Sequence, residues 1–191
     1  MNHEKLGVDG LHYLYEGDGY ASLGNFVMAL QMYEAQIVYL RSKPIVNIKF
    51  LAITHGHMGK MFMKQSRYDR AIVDFDRQLS LAKEINDKPE AADAYFGMGS
   101  GYLMRNSYDE AIRYLSFAQG RYSVLGNIKK HCNALKLLRD CYNRVGKEDK
   151  AEGSDSLTHS LTHSLTHSLT HSLTHSLTHS PTSMQRKSDD H

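Results

Sequence analysis

One interval governs this chain. Gly99, Tyr102, Tyr108, Ala111 and Leu115 stand in a fixed order, and forty residues earlier the same places hold Gly59, Phe62, Tyr68, Ala71 and Phe75. Forty-two residues before that they hold Gly17, Tyr20, Phe26, Ala29 and Tyr33. Forty residues after the first set, Tyr142 and Ala151 fall on the frame while Arg139 and Glu148 do not. A period of this size defines units that bury their apolar faces only by stacking on one another. The small residues mark places where two helices approach closely. The aromatic residues fill the space beside them.

Turn chemistry divides each unit into two helices. Gly24-Asn25, Gln65-Ser66 and Asn106-Ser107 lie between the aromatic and alanine halves of the frame. Ser107 to Glu110 reads as a capping box, Ser107 capping the new helix and Glu110 reaching back, and Ser66 to Asp69 as a looser version. Helices are expected over 11–23, 26–41, 45–64 and 68–85. Asp87 is placed to cap the next one, with Pro89 in its first turn and an end near Arg105. Two more follow over 108–125 and 128–145, stopped by Gly126-Asn127 and Gly146.

The third unit holds Tyr95, Met98, Gly99, Tyr102, Tyr108, Ala111, Leu115 and Ala118, in the order large–x2–large–Gly–x2–aromatic and then aromatic–x2–Ala–x3–large. This pattern resembles tetratricopeptide repeats, and the resemblance covers roughly residues 11–151. The period is longer than the usual ~34 residues. It is similar to the long-helix variety of Pins-type spindle-orientation adaptors, rapsyn and kinesin light chains. Glu16, Gln36, His55, Gln78 and Arg139 depart from the pattern, standing where apolar or small residues are expected.

The resemblance implies an all-α fold, a short right-handed solenoid of antiparallel helix pairs. The chain then divides into a flexible lead-in over 1–10, a repeat domain over 11–152 with three full units and a truncated fourth, and a disordered low-complexity tail over 153–191. In such arrays the first helix of each pair lines a concave groove. Carried onto this sequence, the groove side chains are Lys60, Met63 and Lys64 in unit two and Phe96, Ser100, Leu103 and Met104 in unit three. Lys136, Asp140, Asn143 and Arg144 follow in unit four, with Asp18, Ala21 and Ser22 in unit one. The family's carboxylate clamp for chaperone tails needs a Lys and an Asn in the first unit, where this chain has Leu14 and Asp18. An extended or helical peptide with apolar anchors suits the groove better.

Composition narrows the function classes. A net charge of +2 gives no reason to expect a nucleic-acid partner. No apolar run reaches about 18 residues, so membrane insertion is not expected. The first residues lack the charged-then-apolar order of a secretory leader, which makes a cytoplasmic location the expectation. Cys132 and Cys141 lie nine residues apart on one expected helix, too far along its axis for a disulfide. They read as free, buried thiols.

Candidate chemistry is sparse. Gly97 to Gly101 looks like a phosphate loop, but it lies inside a helical register and no strand signal precedes it. His55 and His57, and likewise His131 and Cys132, are too close in sequence to share a helix face. Asp74, Asp76, Asp109 and Glu110 read as solvated charges or caps. Met58, Met61 and Met63 read as core and groove lining.

The tail repeats Ser-Leu-Thr-His six times from Ser156 to His179. Ser, Thr and His are weak helix formers, which favours disorder. Were it helical, histidines at intervals of four would line a slowly drifting stripe able to hold zinc or nickel. The simpler reading is a translated simple repeat. It interrupts the fourth unit and would leave Leu135, Leu138 and Tyr142 uncovered, a face prone to self-association.

Together these features describe a non-catalytic scaffold or adaptor that binds a segment of a partner protein in its concave groove, with no cofactor and no metal. The alternatives are a truncated fragment of a larger cytoskeletal, ciliary or signalling adaptor, and an accessory subunit of an enzyme complex.

Overall fold

The computed structural model describes residues 11–178. Among them are eight helices and no strand: α1 (His12–Ser22), α2 (Phe26–Arg41), α3 (Ile48–Lys64), α4 (Tyr68–Glu84), α5 (Lys88–Met104), α6 (Tyr108–Val124), α7 (Ile128–Arg144) and α8 (Glu148–Thr178). Each helix packs on its neighbours in sequence, and α3, α5 and α7 also touch in succession. The first helices of the units therefore lie side by side along one face of a solenoid of helix pairs. The expected lead-in over 1–10 lies outside the described residues.

Six of the seven turns share one device. Gly24, Ser66, Asn86, Asn106, Gly126 and Gly146 all adopt positive φ, between 54° and 75°. The next residue's N–H then bonds back to a carbonyl in the last turn, as from Arg67 to Phe62 at 2.9 Å and from Ser107 to Tyr102 at 2.9 Å. This pairing satisfies carbonyls that a helix end would otherwise leave open. The exception is the α2–α3 connection, where Pro44 and an extended Asn47 delay α3 to Ile48. Expected at 45, it starts where Asn47 Oδ1 accepts from Phe50 N at 3.1 Å.

Asn25, Asp87 and Asn127 cap in the same way. Ser107 does not, which corrects the expected capping box. Its backbone (φ −88°, ψ 74°) nearly matches that of Asn127 (φ −86°, ψ 79°). From that geometry the Asn127 side chain accepts from the third helical N–H, that of Lys130, while the Ser107 hydroxyl makes no such bond.

The frame is a packing device. A Cβ placed on Gly17 would lie 2.4 Å from the Tyr33 ring, one on Gly59 2.7 Å from Phe75, and one on Gly99 2.7 Å from Leu115. In each unit the large residue sixteen positions after the glycine lies against that glycine's backbone. Ala29, Ala71, Ala111 and Ala151 are all buried. In unit four, position 139 is arginine and position 155 aspartate, and they form an ion pair at 2.9 Å. A charge pair there replaces the glycine–apolar contact.

Unit four is completed by α8, which corrects one expectation. The expected tail begins inside α8, which runs from Glu148 to Thr178, and 179–191 lie outside the described residues. Ala151 and Ser154 are buried under it, and the hydroxyls of Ser154, Thr158 and Thr162 bond to carbonyls one turn back. Leu135 and Leu138 are 3% and 5% exposed, so the bare apolar face expected on α7 is covered. Docking against α7 supplies the burial that the weak helix propensity of Ser and Thr does not.

Two alanine substitutions separate packing from propensity. Gly99→Ala overpacks against Leu115 and is expected to lose about 1–3 kcal/mol. Gly120→Ala, which meets nothing within 4 Å on an exposed helix face, is expected to gain about 0.5–1 kcal/mol. Denaturant unfolding of the two variants measures both; equal shifts would refute the frame.

Candidate functional site

The glycines that let helices close on each other also open a cavity of about 380 Å³ on the face formed by α3, α5 and α7. Because Gly59 and Gly97 carry no side chain, Phe75 of α4 reaches through from the second layer, within 2.7 Å and 2.5 Å of where their Cβ atoms would stand. Phe75, Met63, Phe96 and Tyr122 supply the apolar surface. Gln78, behind Gly56, donates its amide to Glu90 at 2.7 Å. Its carbonyl oxygen is buried and accepts no hydrogen bond among the described residues.

Charge is distributed unevenly around this cavity. On the α5–α7 side, Asp93 accepts from the Tyr122 hydroxyl at 2.7 Å and from Lys130 at 2.6 Å. That aspartate is neutralised in place. Lys60 and Lys64 on α3 are exposed, and no carboxylate lies within ion-pair distance of either among the described residues. The cavity thus offers an apolar floor with two uncompensated ammonium groups on one side.

Five of the expected groove residues line the cavity: Lys60, Met63, Lys64, Phe96 and Ser100. Leu103 instead packs against the buried cluster of Ala111, Leu115, Leu138 and Cys141. Met104 is exposed, as are Lys136, Asn143 and Arg144, and none of them lines it; nor does Asp140, which pairs with Arg139 at 3.0 Å. Phe75, Gln78 and Tyr122 were missed because they lie on second helices. The available signal was Gly97, a glycine off the frame that admits a side chain from behind.

Other candidates fall into structural roles. Asp18 accepts from the Tyr33 hydroxyl at 2.7 Å and pairs with His57 at 2.6 Å, while Leu14 is buried, so neither resembles a clamp. Asp74 is not a solvated charge as expected: it is 4% exposed and pairs with buried His55 at 2.8 Å. Gly97 to Gly101 lie within α5. Cys132 and Cys141 are free and buried, and burial raises the Cys141 thiol to about 11. His131 is held below its ordinary pKa by burial. No helix among the described residues is long and apolar enough to cross a membrane.

Burial, then the hydrogen bond to Asp93 and its charge, raise the Tyr122 hydroxyl well above its ordinary pKa of 10.0. The folded state favours the protonated phenol, so this contribution is complete below about pH 10 and is lost as pH rises beyond it. Tyr122→Phe is expected to lose about 1 kcal/mol at neutral pH and to be less sensitive to alkali than the unsubstituted chain. Melting curves between pH 8 and about pH 11 measure this. Parallel slopes would remove the Asp93 contact.

Residues 50–116 match the family model described as tetratricopeptide repeat. The chain is 28% identical over 93 residues to the protein FLUORESCENT IN BLUE LIGHT, chloroplastic, of Arabidopsis thaliana. That match covers 49% of this chain and 29% of the relative, so the chain spans less than a third of that protein's length. The crystal structure of the TPR domain of Arabidopsis FLU aligns with a TM-score of 0.58 at 24% identity, covering 61% of this chain and 98% of that one. MamA aligns with a TM-score of 0.59 at 26% identity over 76% of this chain and 73% of its own. The Rap conjugation gene regulator of plasmid pLS20, solved in complex with the Phr* peptide, aligns with a TM-score of 0.68 at 18% identity over 80% and 42%. The matched segment, the helix pairs and the glycine frame agree: the array has the fold of tetratricopeptide repeats, and residues 50–116 match that family's model.

Proposed function

We propose that the array is a non-catalytic interaction scaffold that holds a segment of a partner protein against the face of α3, α5 and α7. The cavity carries the reading: Phe75, Phe96, Met63 and Tyr122 form a floor for one apolar side chain, and Lys60 and Lys64 stand unpaired beside it. An apolar anchor supplies most of the affinity, and an acidic group beside the lysines sets orientation. A Rap protein of similar fold was solved with a peptide, which supports this class of ligand.

Panning a random peptide library on this chain tests the reading. Enriched peptides are expected to pair an aromatic or aliphatic residue with a nearby Asp or Glu. Lys60→Glu with Lys64→Glu is expected to weaken them by roughly tenfold or more, about 1.4 kcal/mol, with helical circular dichroism unchanged. Peptides that bind the double variant equally well would move the site off this cavity.

A further inference from the structure

The second helix of unit three carries a face that the groove does not use. Phe117, Gly120, Arg121 and Val124 fall at intervals of three and four along α6, on one side of the helix. Leu115, Ala118 and Tyr122, on its other side, are buried in the array. Phe117 is 50% and Val124 89% exposed. With Leu125, and with Lys88 at the start of α5, they line a cavity of about 450 Å³. It shares no lining residue with the cavity on α3, α5 and α7. A Cβ on Gly120 would meet nothing within 4 Å, so the glycine leaves room in this hollow. Single exposed apolar residues are ordinary, but Phe117, Val124 and Leu125 surround one concavity.

Positive charge borders the hollow and is uncompensated. The Arg121 guanidinium and the Lys83 ammonium stand 5.1 Å and 5.6 Å from the centroid of the Tyr95 ring, which itself lies 5.3 Å from the ring of Phe117. An aromatic face holds a cation in place without cancelling its charge. No carboxylate lies within ion-pair distance of Lys83, Lys88 or Arg121 among the described residues. An apolar hollow bordered by such cations complements an acidic segment. A second copy of the chain fits worse, because a two-fold contact presents the patch to itself and like charges meet. A lipid surface gains from side chains that protrude into it, whereas a concavity suits one projecting side chain.

We propose that this hollow on α6 is a second docking site, for an acidic amphipathic segment of a partner protein. One apolar side chain of that segment enters beside Phe117, in the room left by Gly120, and its carboxylates meet Arg121 and Lys88. The site stands on residues different from those of the groove, so either holds without the other.

Random peptides displayed on phage are panned on the full chain, and the enriched peptides are measured against three variants by fluorescence anisotropy. Gly120→Leu fills the hollow while raising helix propensity at an exposed position, so the fold is kept. Lys88→Glu with Arg121→Glu reverses the charge beside it, and Lys60→Glu with Lys64→Glu alters only the other cavity. A class of peptides that pairs an apolar residue with Asp or Glu is expected to bind the first two variants roughly tenfold or more weakly. The same peptides are expected to bind the third variant unchanged, with helical circular dichroism equal in all. Gly120→Leu also separates docking from stickiness, because an added leucine strengthens any non-specific apolar association. An enriched set in which no peptide is weakened by Gly120→Leu would overturn the proposal. Binding to phosphatidylserine vesicles that is lost on charge reversal, or a dimer lost with Gly120→Leu, would give the face to a lipid or a second copy and overturn it as well.

Discussion

The array depends on bare glycine backbone receiving a large side chain from the neighbouring helix. Phe75 shows this best. Its ring lies against Gly59 of α3 and Gly97 of α5 at once, so one side chain joins two units. Burying a phenylalanine in this way contributes about 1.5–3 kcal/mol. It does so only because both glycines let the helices approach. Gly101 repeats the arrangement with Ile72, while Gly99 on the opposite side of α5 receives Leu115 of α6. α5 is thus cut back on two sides, and both helices flanking it in sequence fit into it.

The same contact shapes the groove. A side chain that reaches through from the second layer becomes part of the inner surface, so the cavity floor is built from both layers. That floor is apolar, and its one carboxylate, Asp93, is held by Tyr122 and Lys130. Lys60 and Lys64 are left to set the local potential. An acidic, apolar segment complements such a surface better than a basic one.

Polar departures from the frame are absorbed in pairs. His55 meets Asp74 inside the core, and Gln78 reaches Glu90. Arg139 bridges Asp140 and Asp155 where the other units put glycine against an apolar residue. Being partly exposed, that bridge contributes less than a buried apolar contact would. It does orient α8 as it leaves the array, and α8 in turn covers Leu135 and Leu138. The last unit is joined to the array by charge as well as by burial.

The sequence by itself determined the period, the all-helical class and nearly every helix end. Those features follow from local chemistry: residues that accept positive φ at Gly24, Asn86 and Gly146, side-chain caps at Asn25 and Asp87, and glycines in register at Gly59 and Gly99. Only the tertiary structure decided which side chains reach the groove. Phe75 and Tyr122 come to it from second helices through gaps that no single-helix pattern displays. Tertiary contact also decided the state of the residues after Gly153. Their composition argues against a helix, but docking on α7 covers the first turns, and a helix once started adds residues at far smaller cost than it nucleates.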